Sequence, residues 1–135
     1  MDWQVCGNLY LPIADRYHAW NAEEAQKRIF TWAGWDKTPD PIQTRQAFFA
    51  CDNDKPNDKS AYKLPFTDVI DGKLTVVPRA LFAIANMLNR DQAIPGLTEE
   101  VQTKVRQRVE IYFQKMGIQL PRAESEAQPE LTPQK

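Results

Sequence analysis

Apolar positions along this chain gather into three stripes of helical spacing, separated by breaks rich in proline and glycine. The first stripe is Ala22, Ala25, Ile29, Trp32 and Ala33. Steps of three and four residues put these side chains on one face of a helix. Asn21 stands just before them as an N-cap, and Glu24 follows three residues later in the capping-box pattern. Gly34 falls where a left-handed cap closes a helix. The pattern predicts a helix over 22–33. In the second stripe Leu81, Ala85 and Leu88 share a face, with Phe82 and Ile84 beside it. Pro78 suits its first turn, where the missing amide is not needed. This predicts a helix over 79–89, with Asn89 near its end. In the third, Thr98 caps, and Glu99 and Glu100 bring negative charge to the positive end of the helix dipole. Val101, Val105, Val109, Tyr112, Phe113 and Met116 then form a continuous stripe. Gly117 ends it, and Ile118 is placed to pack back onto the last turn.

Strand signals are weaker. Asp71-Gly72 is a tight-turn pair, with Val69 and Ile70 before it and Leu74, Val76 and Val77 after it. A hairpin is expected there. Leu9, Leu11 and Ile13 alternate, but Pro12 removes a ladder donor between them. An edge strand or an extended arm, ending at Trp20, fits that stretch. Pro39, Pro41, Pro56 and the run DNDKPNDKS mark loops. Between them, Ile42 to Cys51 reads as a helical turn leading into an extended FFAC, although periodicity does not separate helix from buried strand in so short a run. Beyond Gly117 the chain is polar, with Pro121, Pro129 and Pro133, the pattern of an extended, flexible arm. The expected fold is therefore mainly α with a small β-hairpin, an α+β arrangement of three main helices around one core. Its parts are an extended N-terminal segment (1–20), a compact helical domain (21–117, hairpin near 62–77) and a flexible C-terminal arm (118–135).

Composition supports one ordinary globular domain. The chain has 135 residues, 42% of them hydrophobic, including four Trp, four Tyr and six Phe. A domain of this length buries roughly two thirds of its unfolded surface. Seventeen basic and eighteen acidic residues leave a net charge of -1, without the basic excess that phosphate neutralisation demands, which argues against nucleic acid as the main partner. No run approaches the roughly 20 apolar residues of a membrane span. The start, MDWQVCGNLY, lacks the basic and apolar regions of a secretory signal. Synthesis in the cytoplasm is expected, with Cys6 and Cys51 reduced and partly buried.

Candidate chemistry is sparse. His18 is the one histidine, and the serines are Ser60 and, in the tail, Ser125. A Ser-His-Asp set would have to use Ser60 and His18, and no nucleophile-elbow pattern surrounds Ser60. A Cys-His pair would join Cys6 or Cys51 to His18, but both cysteines sit among apolar residues or beside glycine, as structural thiols do. The two cysteines do not have a metal-ligand spacing. Asp68 and Asp71 flank the hairpin turn, where aspartate more often bonds backbone amides than works as a carboxylate pair. Gly72 belongs to no phosphate loop. Lys104, Arg108 and Lys115 read as a solvated helix face. No catalysis, cofactor or metal is expected, and binding to other proteins is. Two segments offer contact residues. Tyr62, Leu64, Pro65 and Phe66 form an apolar-aromatic run that is either a core strand or an exposed surface. Leu120, Pro121 and Leu131 lie on the C-terminal arm, which suits docking along a neighbour.

The run AYKLPFTDVIDGKLTVVPRALFAIANMLNR, followed by AIPGLTEEVQTKVRQRVEIYFQKMG, resembles a small module of tailed-bacteriophage head-morphogenesis regions, found alone or appended to prohead proteases. The front part, LPIADRYHAWNAEEAQKRIFTWA, is similar as well, so the likeness spans about residues 9 to 117. The prohead protease's catalytic set is absent from this chain. The resemblance implies a stand-alone head component: a capsid-decorating or cement protein on the virion exterior. Its partners would be neighbouring major capsid subunits and a second copy of itself. Alternatives it leaves open are a transient head-assembly or protease-associated factor and a phage-encoded inhibitor of a host protein; a hydrolase using Ser60 or Cys51 is the enzymatic alternative.

Overall fold

A computed structural model describes residues 1–89 and 94–118. Ten elements follow in order: β1 (Trp3–Val5), α1 (Ala22–Trp32), α2 (Pro41–Arg45), β2 (Phe48–Asp52), a single 3-10 turn (Lys59–Ala61), β3 (Tyr62–Pro65), β4 (Thr67–Ile70), β5 (Lys73–Val76), α3 (Pro78–Leu88) and α4 (Glu99–Met116). The three long helices form where their caps dictate. Asn21 accepts the Glu24 amide at 3.0 Å, and Thr98 accepts the Val101 amide at 3.2 Å. Pro78 opens α3, and Gly117 closes α4 at φ 71°. Asn21, Thr98 and Gly117 each satisfy an amide or carbonyl that the first or last turn leaves orphaned, whereas α3 starts without a side-chain cap bond.

The expectation of a mainly α fold is overturned. Strands β1, β2 and β3 form one antiparallel sheet in that spatial order, and β4 and β5 form a second. Helix takes 42% and strand 18% of the described residues, a mixed α/β fold. The three-stranded sheet escaped the sequence pattern for a physical reason. All five residues of β2 are buried, so a strand covered on both faces reads as an apolar run rather than an alternation. Its partners are distant: Trp3 faces Asp52, and Cys51 faces Tyr62. The alternating Leu9, Leu11 and Ile13 contribute a single bridge, Ile13 to Val76. The hairpin forms at Asp71-Gly72 as expected, with positive φ at both residues (52° and 77°).

Two apolar clusters flank β2. Phe49 and Ala50 point into one, with Leu64, Phe66, Leu81, Ile84 and the stripe of α4 from Val101 to Phe113. Phe48 and Cys51 point into the other, with Cys6, Ile29, Phe30 and Tyr62. Helix α1 packs on β4 and β3, α4 on β1 and β2, and α3 on α4. Leu64 sits in the left-handed region at φ 63°. The β2–β3 pairing registers Phe48 with Pro65 and Ala50 with Lys63 but not Phe49 with Leu64. This local break in the ladder lets Phe49 and Leu64 enter one cluster while Phe48 and Tyr62 enter the other.

Candidate functional site

From Cys6 to Trp20 the chain runs as a strap across the body of the domain. The Asn8 amide donates to the Gln46 carbonyl at 3.1 Å, the Ala14 amide to the Val76 carbonyl at 2.8 Å, and the Val76 amide to the Pro12 carbonyl at 2.8 Å. Three side chains of α4 hold the strap's carbonyls. Tyr112 donates to Asn8 at 2.5 Å, Arg108 to Gly7 at 2.8 Å, and Lys115 to Leu9. At the far end the Trp20 indole reaches the Thr67 carbonyl at 3.4 Å. So Arg108 and Lys115, read from spacing as a solvated face, are clamps; Lys104 alone keeps a surface role, pairing with Glu100 at 3.4 Å. No sequence signal showed this, because carbonyl acceptors about a hundred positions away leave no mark on the helix that binds them.

The strap is the surface that carries exposed aromatics. Tyr10 is 88% and Tyr17 74% exposed. Lys115 lies 5.0 Å from the centre of the Tyr10 ring, and Arg16 lies 5.9 Å from that of Phe82. Both tyrosines follow turns pinned by side chains: Asn8 accepts the Tyr10 amide at 2.8 Å and Asp15 the Tyr17 amide at 2.9 Å. Such rings expose large contact area from a backbone already fixed, so little ordering entropy remains to be lost on docking. A second surface feature is an apolar hollow of about 400 Å³ between α1 and β4, lined by Lys27, Arg28, Thr31, Trp32 and Val69.

The residues singled out from sequence are placed as follows. Tyr62, Leu64 and Phe66 are buried, 5%, 5% and 0% exposed, and Pro65 is half-buried. The core takes up this run as a strand. Leu120, Pro121 and Leu131, with the arm they belong to, lie outside the described residues. Ser60 is exposed and donates to Asp58 at 2.8 Å. His18 makes no side-chain hydrogen bond or ion pair among the described residues; its amide closes a turn on Asp15 at 3.0 Å. Asp68 is 4% exposed and accepts both arms of the Arg28 guanidinium at 2.7 and 2.8 Å, while Asp71 occupies the hairpin turn. The two carboxylates therefore do separate structural jobs. Among the described residues no group of three or more His, Cys, Asp or Glu is arranged to hold a metal ion, and no helix is long and apolar enough to cross a membrane. Cys6, one residue past β1, and Cys51, in β2, are both buried in the cluster around Phe48 and Tyr62.

No protein-family model, curated protein or solved structure matches this chain.

Proposed function

We propose that this protein works by binding other proteins rather than by catalysis, as a structural component of a tailed-phage head that decorates the capsid across neighbouring major capsid subunits. The observation that carries the binding role is the strap with Tyr10 and Tyr17 exposed on a clamped backbone. Tyrosine is among the residues enriched at binding hot spots. The capsid as partner rests on the likeness of residues 9–117 to head-morphogenesis modules. A compact body with a near-neutral charge and extended segments suits a clamp that gains avidity from several modest contacts.

Proteomics of purified, DNA-filled virions of the encoding phage tests the role. A copy number near that of the major capsid protein is expected. Absence from mature particles would replace decoration with a transient assembly factor or an inhibitor of a host protein. Replacing Tyr10 and Tyr17 together by alanine is expected to lower occupancy on shells at least tenfold, since hot-spot truncation costs about 2 kcal/mol or more. Unchanged occupancy would remove the strap as the docking surface.

A further inference from the structure

A hollow of about 340 Å³ opens where the strap begins. It is lined by residues 5–8, by Arg45 and Gln46 at the end of α2, and by Arg108 of α4. The lining carries two guanidinium groups and no carboxylate. Arg45 is exposed and makes no ion pair or side-chain hydrogen bond among the described residues. Arg108 donates through Nη1 to the carbonyls of Gly7 and Cys6, at 2.8 and 3.5 Å, which anchors its guanidinium at the hollow. Its Nε and Nη2 donate to no group among the described residues. Two like charges thus border one space without a counter-charge, an arrangement that an anion between them stabilises.

The neutral side chains of the lining are oriented as donors too. A backbone N–H only donates, so the Tyr10 amide, at 2.8 Å, fixes Asn8 Oδ1 as an acceptor. Asn8 Nδ2 therefore donates, giving one hydrogen to Gln46 Oε1 at 2.9 Å. Gln46 Nε2 in turn gives one to Gln43 Oε1 at 3.1 Å. An amide nitrogen carries two hydrogens, so Asn8 and Gln46 each keep one for a ligand. Acceptors of the lining are already engaged. Both side-chain amide oxygens are taken, as are the carbonyls of Cys6, Gly7 and Gln46, the last by the Asn8 amide at 3.1 Å. Asn8, Arg45, Gln46 and Arg108 thus bring surplus hydrogen-bond donors to one space from three separate parts of the chain.

We propose that this hollow is a binding site for a small organic dianion, held by a phosphate or dicarboxylate group between Arg45 and Arg108. Guanidinium groups match either through paired N–H donors in a planar fork. A dianion balances both arginines, whereas a monoanion leaves one positive charge in excess. The volume lies at the lower end of the range of about 300–1,000 Å³ for small-molecule sites, which leaves room for a short carbon body beside the charged group. The Asn8 side chain both lines the hollow and holds the turn that carries Tyr10, so binding registers at the root of the strap.

The test is to titrate the full chain with inorganic phosphate and, separately, with succinate at constant ionic strength, following the backbone amides by NMR. At least one probe is expected to move the amides of Val5, Gly7, Asn8, Tyr10 and Gln46 together, with one saturable midpoint. A lower midpoint for phosphate identifies a phosphorylated ligand and a lower one for succinate a dicarboxylate; equal midpoints mark a site for the dianion as such. Arg45→Ala is expected to weaken the better probe about tenfold, as loss of one charged hydrogen-bond partner does. Lys73→Ala removes the same charge from the exposed start of β5, outside the hollow. It is expected to leave the midpoint within about twofold. Unsaturating shifts with both probes would overturn the proposal, as would saturable shifts that spare residues 5–8 and Gln46. Equal weakening by the two variants, or weakening by neither, would overturn the arginine-bordered hollow as the site.

Discussion

The Tyr112 hydroxyl donates to the Asn8 carbonyl at 2.5 Å and accepts the Leu11 amide at 3.2 Å. One buried side chain of α4 thereby satisfies two backbone groups of the strap, 104 and 101 positions away. Its ring meanwhile packs 5.8 Å from that of Phe66 in the core. Core and strap are coupled through this residue, so the position of Tyr10 is set partly from inside the domain.

Tyr112→Phe keeps the ring and removes both bonds. A destabilisation of about 1–3 kcal/mol is expected, because the carbonyl of Asn8 and the amide of Leu11 lose their partner. Urea unfolding measures the loss, and amide exchange localises it. Leu11 is expected to exchange faster while Val105 and Val109 change little. Uniform acceleration across α4 would mean that the hydroxyl supports the helix rather than the strap.

Alkaline pH acts on the same residue. Burial raises both Tyr62 and Tyr112 to about 12, against about 10 for an unperturbed tyrosine. Between those values the folded chain holds protons that the unfolded chain has released, so stability falls as pH rises. The contribution is fully present below pH about 10 and is lost as pH climbs towards about 12. Urea midpoints at pH 9, 10 and 11 are expected to decline. The decline should be shallower in a Tyr62→Phe, Tyr112→Phe double variant; an equal slope would assign the loss to lysines instead.

Arg28 ties α1 to β4 through Asp68. The carboxylate is 4% exposed, and it also accepts the Val69 amide at 2.7 Å. Arg28→Met leaves that carboxylate buried without its counter-charge. Loss of one partner of a buried pair costs about 3–5 kcal/mol. The arginine side chain is 48% exposed, so solvent screens part of this and about 1–3 kcal/mol is expected. Asp68→Asn should cost less, since the amide still accepts from Val69. A larger cost for Asp68→Asn than for Arg28→Met would contradict the burial argument.

Gly7 and Gly72 both have positive φ, 106° and 77°, yet they should tolerate alanine differently. A Cβ at Gly7 would stand 3.0 Å from the Phe49 ring, 3.1 Å from the Phe48 carbonyl and 3.2 Å from the Phe66 ring, whereas at Gly72 it would meet nothing within 4 Å. Gly72→Ala is expected to cost about 1 kcal/mol of backbone strain. Gly7→Ala should cost about 2–4 kcal/mol, the same strain plus crowding against β2. Thermal unfolding of the two variants decides it, and equal shifts would refute the close approach of the strap to β2.

Residue order alone carries what local chemistry governs. It placed the three long helices to within a residue or so, because Asn21, Thr98 and Gly117 fix ends through bonds that span three to five positions and Pro78 suits only a first turn. It placed the β4–β5 hairpin, because Asp71 and Gly72 supply the positive φ that the turn requires. Tertiary structure alone decided the three-stranded sheet, whose ladders join residues 11 to 49 positions apart and whose central strand, buried on both faces, carries no alternation. It decided that Tyr62, Leu64 and Phe66 are core while Tyr10 and Tyr17 are surface, since an apolar run does not say which side of a sheet will be covered. It also turned Arg108, Tyr112 and Lys115 into clamps and brought Cys6 and Cys51 into one buried cluster. Each of those contacts depends on where a distant backbone segment comes to rest, and no residue type or spacing encodes that separately from the packed whole.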